Sequence, residues 1–198
     1  VVRDYLRLNP EILVDAIQGL RAKQEAAQRG HTRAALISER ETLINDPTSP
    51  VAGNPKGDVT VVEFFDYNCP YCKKVLPAIT ALLKADGNIR YVFKEYPILG
   101  PESLIATRAA LAAWVIDPKT YLTFHSAMMS AKGLLTEGRI MRFAEKSGLD
   151  IDTLRKTMNG LEVETALRAN FALADKLGIS GTPAFIIGEH LVPGALDI

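Results

Sequence analysis

Apolar residues dominate two short stretches near the middle of the chain. Val59–Phe65 and residues 89–96 are rich in β-branched and aromatic residues, which is typical of buried strands. Between them, from residue 69 to about 85, the apolar residues have the spacing of a helix. The apolar positions of this helix are Val75, Leu76, Ile79, Leu82 and Leu83. The pattern therefore predicts a strand, a helix and a second strand, in this order.

A long helical region and a hairpin follow. From Pro101 to about Lys176 the apolar spacing is helical, with breaks at residues 117–118, 132–133, 148–150 and 159–160. A short strand is then predicted at residues 182–187, and Gly188-Glu189 turns the chain into a last strand. Two strands joined by a helix, a helical insertion and a closing hairpin predict an α/β fold with an inserted helical subdomain.

The first 46 residues form a separate helical region. Asn9-Pro10-Glu11 predicts a helix start, with a capping residue, a proline at the first helical position and an acidic first turn. We expect this helix to reach about Arg29 and to stop at Gly30, and a second helix over residues 32–43. The Pro-, Ser- and Asn-rich run at residues 45–50 predicts a linker.

The apolar spacing in this region, which we call the arm (residues 1–46), is that of a coiled coil. Positions seven residues apart are apolar, and Ile17 lies beside them. These positions are Leu6, Leu13, Leu20 and Ala27. We expect the arm to be an oligomerisation segment ahead of a body formed by residues 51–198. The alternative is a helix packed on the body of its own subunit.

Charge and hydropathy exclude some partners. Lysine plus arginine and aspartate plus glutamate both number 23, so formal net charge is zero and nothing favours nucleic acid or an anionic membrane surface as partner. No apolar run approaches the roughly 18 residues of a membrane span. We expect that a signal peptide has been removed before Val1, and that residues 191–198 begin a truncated helix.

Both cysteines of the chain lie in one motif, Cys69-Pro70-Tyr71-Cys72, where the first strand gives way to the helix. The first thiol is thus at a helix N-terminus, where free N–H groups and the helix dipole favour a thiolate. We expect an exposed Cys69 as the nucleophile and a shielded Cys72 that resolves the mixed disulfide. Pro70 needs no N–H at this turn, and Tyr71 offers an apolar face beside the sulfur. The dithiol carries two electrons, so no cofactor is expected.

Two other interpretations of the cysteine pair remain open. The thiols could be reduced core residues, or two thiolate ligands of Cu(I). A structural zinc is not expected, because two further ligands would be needed and His31, His125 and His190 are all far away in sequence. We expect His125 to be a packing or helix-surface residue, with a role in a substrate groove as the alternative.

Glu63 lies inside the first apolar strand, six residues before Cys69. Burial would raise the pKa of this acid and suit it to relaying a proton for Cys72. The alternative is a side chain that faces solvent. Lys94, in the second strand, is either a partner for Glu63 or a solvent-facing lysine, and Asp66 is expected to be a turn residue.

Taken in order, the strand with Glu63, the cysteine motif, a helical insertion and Thr182-Pro183 resemble the DsbA-like branch of the thioredoxin superfamily. The resemblance covers about residues 51–198. It implies a thioredoxin fold with its helical insertion at about 101–176. A proline that opens a strand is a candidate cis peptide, with an ordinary trans bond as the alternative. The resemblance further implies that this cis bond faces the active-site sulfurs and, with Pro70 and Tyr71, shapes the peptide-binding face.

The residues around the cysteines and the arm resemble those of disulfide isomerases. Pro-Tyr between the cysteines and Thr182 before the proline are similar to DsbC and DsbG sites more than to the DsbA oxidase. The arm resembles the suppressor of copper sensitivity protein C group, some of which are oligomeric isomerases. The resemblance implies a periplasmic disulfide isomerase or reductase with protein substrates, a membrane redox partner and a homo-oligomer formed through the arm. A monomeric DsbA-like oxidase and a copper-binding protein are the alternatives.

Overall fold

A five-stranded sheet forms the centre of the computed structural model, which describes residues 2–195. The strand order is β1-β3-β2-β4-β5, and only the pair of β2 and β3 is parallel. The strands are β1 (Val51–Gly53), β2 (Val59–Phe65), β3 (Ile89–Glu95), β4 (Ala184–Ile187) and β5 (His190–Pro193). The predicted strands are confirmed. Strand β1 was not predicted, because three residues are too few to show a hydrophobic period.

Helices cover the sheet and form the arm. The helix after the cysteine motif joins the parallel strands β2 and β3, and five helices are inserted between β3 and β4. The helices are α1 (Val2–Leu8), α2 (Glu11–Ser38), α3 (Arg40–Ile44), α4 (Pro70–Ala85), α5 (Pro101–Ile116), α6 (Pro118–Met129), α7 (Glu137–Lys146), α8 (Ile151–Met158) and α9 (Leu161–Leu177). The predicted α/β class, with its helical insertion and N-terminal helical arm, is therefore confirmed.

The two faces of the sheet pack against different elements. Val62 and Phe64 of β2 belong to a core that includes Leu36 and Leu43 from the segment before β1. The alternate residues of β2 belong to the larger core with α4, α5 and α6. Because side chains alternate between the faces of a strand, Glu63 points to this second side, the side of the cysteine motif.

Most of helix α2 stands free of the body. Residues 10–31 are all exposed in the described chain, and the helix approaches the body only near the end of this range, where the Gln28 amide lies beside Gly178. The predicted stop at Gly30 is wrong, since an interior glycine costs a helix only about 1 kcal/mol relative to alanine. Asn9 is not the helix cap either: its side-chain amide donates to the carbonyl oxygen of Tyr5, and Pro10 occupies the cap position.

The segment after residue 31 is docked on the body. Thr32 donates to the carbonyl oxygen of Leu177, while Leu36 and Leu43 are 3% and 2% exposed. The packed body therefore includes residues upstream of Val51. At the other end, residues 191–193 lie in β5, so the helix expected to begin there is wrong, and residues 196–198 of that expectation lie outside the described residues. None of the helices described in residues 2–195 has the length and apolarity needed to cross a membrane.

Candidate functional site

The cysteine motif lies at the start of α4, as the sequence predicts. Cys69 is the cap residue of this helix, and the Cys72 N–H donates to the Cys69 sulfur at 3.5 Å. Both cysteines are free thiols. Pro70 begins the helix and Tyr71 is 60% exposed. The expectation of an exposed Cys69 is wrong for this conformation: it is 3% exposed, because the loop before β4 lies against it.

The two thiols differ in acidity. The pKa of Cys69 is lowered to about 6, because the Cys72 side chain donates a hydrogen bond to its sulfur. The side chain of Thr182 and the backbone N–H groups of Cys72 and Tyr71 lower it further, against the opposing effect of burial. Burial raises the pKa of Cys72 far above its ordinary value, and the bond to Cys69 and the charge of Glu63 add to this rise. At neutral pH the pair therefore holds one thiolate and one thiol.

The loop that touches Cys69 contains a cis peptide bond between Thr182 and Pro183, as predicted for this position. The carbonyl oxygen of Thr182 lies 3.2 Å from the Cys69 sulfur, and the Cys69 S–H donates to it when the thiol is protonated. Pairing of Ala184 in β4 with Phe64 in β2 places this loop next to the end of β2, from which the cysteine motif follows. Two segments 113 residues apart in sequence thus form one site.

Glu63 is buried beneath the cysteines, with 2% of its surface exposed, so the solvent-facing alternative is wrong. The Tyr91 hydroxyl donates to Glu63 Oε2 at 2.7 Å, whereas Oε1 has no hydrogen-bond partner among residues 2–195. Burial raises the pKa of Glu63 to about 8, the bond from Tyr91 opposes this rise, and the negative charge of Cys69 adds to it. An acid with this pKa can accept and return a proton near neutral pH.

Lys94 is not the partner of Glu63. Glu63 pairs in register with Phe93, so Lys94 points to the opposite face of the sheet. There the Lys94 ammonium donates to Asp46 at 2.8 Å and to the carbonyl oxygen of Thr42 at 2.9 Å. Within residues 2–195, Glu63 is therefore buried with no cation paired to its carboxylate.

A second buried acid, Glu95, was not singled out from the sequence. Its carboxylate accepts hydrogen bonds from Tyr67, Tyr121 and Thr107, each at 3.0 Å. Burial raises the pKa of Glu95 to about 8, although these three bonds oppose the rise. Alternation along β3 places Glu95 on the face of Tyr91 and Phe93, away from Lys94, and this was the signal available in the sequence. The register with β2 makes it the face of Glu63.

His125 completes this buried cluster. It is 2% exposed, its Nδ1 lies 3.0 Å from the Tyr67 hydroxyl, and its ring contacts Phe65 and Phe93. Burial lowers the pKa of His125 to about 3, so its ring is neutral. The expected packing role is confirmed. Because Tyr67 lies two residues before Cys69, the cluster fixes the strand end that leads to the cysteine motif.

Asp66 organises the turn between β2 and the motif, as expected for a turn residue. Its carboxylate accepts from the backbone N–H groups of Ile98 and Leu99, both at 2.9 Å, and from the Ser103 hydroxyl at 2.7 Å. It also accepts from the Asn68 N–H at 2.7 Å. These bonds join the loop after β3 to the loop that carries Cys69.

Two family models match the chain. The model of the DSBA-like thioredoxin domain matches residues 60–198, and the model of the copper resistance protein ScsC N-terminal domain matches residues 1–27. The first match covers more than half of the chain. The second lies within the arm and ends before the helix docks on the body.

Solved structures and curated proteins agree with these matches. A thioredoxin-like oxidoreductase from Silicibacter pomeroyi DSS-3 is 48% identical, with a TM-score of 0.76 over 79% of this chain and 90% of that one. Proteus mirabilis ScsC in a transitional conformation is 36% identical, with a TM-score of 0.77 over 99% of this chain and 88% of that one. The Na(+)/H(+) antiporter NhaA 1 of Salinispora arenicola is 31% identical over 172 residues, 83% of this chain. The chain spans only 26% of the length of that antiporter.

Proposed function

The chain belongs to the DSBA-like thioredoxin domain family of thiol–disulfide oxidoreductases, and from this premise we propose that it is a disulfide isomerase or reductase acting on protein disulfides. The observation that carries the proposal is the contact between the Cys69 sulfur and the Thr182 carbonyl. The pKa of this same Cys69 thiol is lowered to about 6. A nucleophilic sulfur between the half-buried Thr182 and the exposed Tyr71 is suited to an extended client segment. We place the reaction in the periplasm, where disulfides persist.

The proposed first step is attack by the Cys69 thiolate on a client disulfide. The client S–S bond breaks, a mixed disulfide forms between Cys69 and one client sulfur, and the other client sulfur leaves as a thiolate. Tyr71, which is 60% exposed, and Pro70 flank the attacking sulfur, and Thr182-Pro183 faces it from the other side. These four residues form the proposed client-binding face.

Two outcomes follow from the mixed disulfide. A client thiolate can attack it and form a different client disulfide, which releases the Cys69 thiolate and rearranges the client without net oxidation. Alternatively Glu63 takes the proton of Cys72, and the new thiolate attacks the Cys69 sulfur. The bond between Cys69 and the client sulfur breaks, the client sulfur leaves as a thiolate, and the Cys69–Cys72 disulfide forms. The client has then gained two electrons, and a membrane redox partner must reduce the chain again. The dithiol carries both electrons, so the exchange needs no cofactor.

The arm supplies the argument for isomerisation. Residues 10–31 are exposed, yet this part of the arm carries a set of large apolar side chains. Each is between 38% and 57% exposed: Ile12, Leu13, Val14, Ile17 and Leu20. An unpaired apolar stripe on a free helix is stabilised by packing against the same stripe of another copy. We therefore propose a homo-oligomer in which several active sites face one client.

The oligomer proposal is tested with charge variants of the arm in the full chain. We expect the wild-type chain to be a multimer by light scattering and to rearrange scrambled disulfides in a client. Leu13→Glu with Leu20→Glu should give monomers that rearrange disulfides poorly but still reduce a small disulfide at the wild-type rate. Gln18→Glu with Gln24→Glu adds the same charge as the matched control and should change neither property.

A chain that begins at Thr32 gives a second test. It keeps the docked segment and the partners of Lys94, and it should be monomeric. A monomeric wild-type chain, or a truncated chain that rearranges disulfides at the full rate, would contradict the isomerase proposal and favour the monomeric DsbA-like oxidase. Rapid oxidation of a reduced client would then be the expected activity.

Copper binding is the second candidate, because residues 1–27 match a copper resistance family. That segment contains no cysteine, histidine or methionine, so the soft ligands would be Cys69 and Cys72. Stoichiometric Cu(I) retained against glutathione, and lost in Cys72→Ser, would support this function. Loss of Cu(I) to glutathione would count against it.

A further inference from the structure

A cleft enters the body behind the cysteine motif, between α4, α6 and β1. Its volume is about 240 Å³, and its lining is mostly apolar. The exposed side chains of Thr80, Leu122 and Ser126 line the cleft together with the buried Cys72. Glu63, Phe93 and His125, also buried, form the rest of its inner wall. The cleft thus leads from the surface to the two groups that handle the proton of the resolving thiol.

Glu63, in the inner wall of this cleft, has one carboxylate oxygen without a partner among the described residues. Glu63 Oε1 is buried and has no hydrogen-bond partner within the described part of the chain, while Oε2 accepts from Tyr91. A buried polar oxygen without a partner loses its hydration and gains nothing in return, so a donor that reached it would be held firmly. The cleft provides the route for such a donor.

The charges around Glu63 indicate which kind of hydrogen-bond donor would bind its Oε1. Glu63 and Cys69 both carry negative charge when ionised and repel each other. Lys94 lies on the other face of the sheet with Asp46, and Lys84, the lysine that lines the cleft, is exposed. A cationic head group at Glu63 Oε1 would supply the compensating charge that the inner wall of the cleft lacks.

We propose that this cleft is a binding site for a small apolar molecule with one amine head group, whose N–H donates to Glu63 Oε1. An engineered apolar cavity of about 150 Å³ holds benzene in another protein, so the larger volume here leaves room for an aromatic ring and a short alkyl chain. The ring contacts Phe93 and the apolar side chains of α4, while the ammonium replaces the missing partner of Glu63.

Binding at this site is linked to the redox state of the cysteines, and this second part rests on the proposed function. The dithiol form carries the Cys69 thiolate, whose charge attracts a cation, whereas the Cys69–Cys72 disulfide is uncharged. The amine therefore binds the dithiol form more tightly. By thermodynamic reciprocity it stabilises that form, which is the one that starts isomerisation.

The test uses 2-phenylethylamine as the probe, with 2-phenylethanol and phenylacetate as neutral and anionic controls of similar size. Binding to the reduced full chain is followed by calorimetry and by NMR shifts, at about pH 8, close to the pKa of Glu63. We expect saturable binding at one site, weaker binding of the alcohol and none of phenylacetate. Glu63→Gln should weaken binding of the amine about tenfold or more, since a charge-assisted bond is lost.

Two tryptophan variants locate the site. Leu122→Trp places a large ring at the mouth of the cleft and should abolish binding while leaving disulfide exchange unchanged. Leu161→Trp makes the same change at a residue that is 81% exposed and does not line the cleft, and it should bind the amine as the wild type does. Binding that does not saturate, or that is equal in wild type, Glu63→Gln and Leu122→Trp, overturns the site.

Affinities for the dithiol and disulfide forms test the linkage. We expect the amine to bind the dithiol form at least about threefold more tightly and to shift the equilibrium with glutathione toward the dithiol by the same factor. Equal affinities overturn the linkage but not the site. A chain without disulfide-exchange activity would refute the proposed function, and the binding measurements would still decide the site on their own.

Discussion

The ammonium of Lys94 lies 2.8 Å from the carboxylate of Asp46, and the lysine side chain has no exposed surface. The pair joins β3 to the segment that precedes β1, on the sheet face opposite the cysteine motif. Burial lowers the pKa of Lys94, whereas the hydrogen bond to Asp46 raises it. The buried Lys94 ammonium needs the Asp46 carboxylate as its counter-charge, so this ion pair holds the end of the arm on the body.

Removing one member of this pair should destabilise the body strongly. Asp46→Asn leaves the buried ammonium without its counter-charge, and we expect the free energy of unfolding to fall by about 3–5 kcal/mol in urea denaturation. Lys94→Met combined with Asp46→Asn should recover most of this loss. Lys176→Ala, which breaks the more exposed ion pair with Glu39, is the control and should cost about 1 kcal/mol or less. A similar small cost for Asp46→Asn would show that the pair is not needed.

The Cys69 thiolate should titrate near pH 6. We expect the thiolate absorbance of the reduced chain to rise with a midpoint of about 6, well below the ordinary value of 9.0. Because the Cys72 side chain is the main cause of the lowered pKa, Cys72→Ala should move the midpoint upward. A midpoint that Cys72→Ala does not change would assign the acidity to Thr182 and the helix N-terminus.

The same titration makes the stability of the reduced chain depend on pH. Between about pH 6 and 9 the unfolded Cys69 holds a proton that the folded one has released. The pKa of this group is therefore lower in the folded state, and its contribution to stability grows as pH rises through this window. It is lost as pH falls through 6. Denaturation of the reduced and oxidised forms at several pH values measures it, since the disulfide form has no such group.

The contribution of Glu63 to stability depends on pH in the opposite direction from that of Cys69. Its pKa is raised from 4.5 to about 8 in the folded chain, so it costs nothing below pH 4.5 and destabilises the fold progressively up to pH 8. Glu63→Gln should therefore leave stability nearly unchanged at acid pH. By about pH 9 it should add up to roughly 3–5 kcal/mol, at about 1.4 kcal/mol per unit of pKa shift.

The proton role of Glu63 is separable from this effect. If it accepts the Cys72 proton, Glu63→Gln should slow closure of the Cys69–Cys72 disulfide from a mixed disulfide with glutathione by about 100-fold, while formation of that mixed disulfide stays fast. Equal rates of closure in both proteins would leave Glu63 with an effect on stability alone.

Tyr67 is predicted to be a structural residue. Its hydroxyl is shared between Glu95 and His125, each at 3.0 Å, so Tyr67→Phe leaves two buried groups short of a partner. We expect a loss of about 2–4 kcal/mol in the free energy of unfolding, against about 1–2 for Thr107→Val, which removes a single bond. Neither variant should shift the Cys69 titration. A shift in Tyr67→Phe alone would assign that residue a role in the site.

The strand, the helix and the cysteine motif could be predicted because each has a local pattern. Val59–Phe65 has the composition of a strand, and the apolar residues of α4 recur at helical spacing. The burial of Glu63 could only be offered as one of two alternatives. It depends on which face of β2 meets α4, and that is decided by packing between distant segments.

The partner of Lys94 depended on register, which the sequence alone does not supply. Glu63 and Lys94 are both charged residues in neighbouring apolar strands, and a shift of one position would have paired them. The actual pairing of Glu63 with Phe93 turns Lys94 to the other face. Glu95 was missed for a related reason. An acid at the end of a strand, two residues before a proline, is typical of a surface position. Only the three hydroxyl donors that surround Glu95 explain its burial.

The exposed part of α2 is a helix of defined length. Residues 10–31 form about 30 Å of exposed chain at 1.5 Å per residue, comparable with the diameter of a small domain. Gly30 lies where this rod meets the body, and a Cβ added there would contact no atom within 4 Å. Gly19, near the middle of the rod, is equally free of contacts. The rod thus has two weak points, and Gly19→Ala or Gly30→Ala would each stabilise the helix by about 1 kcal/mol. In an assembly held by the far ends of such rods, the width of the space between catalytic bodies, and so the size of client that fits, would follow from the length of these helices and from any bend at their two glycines.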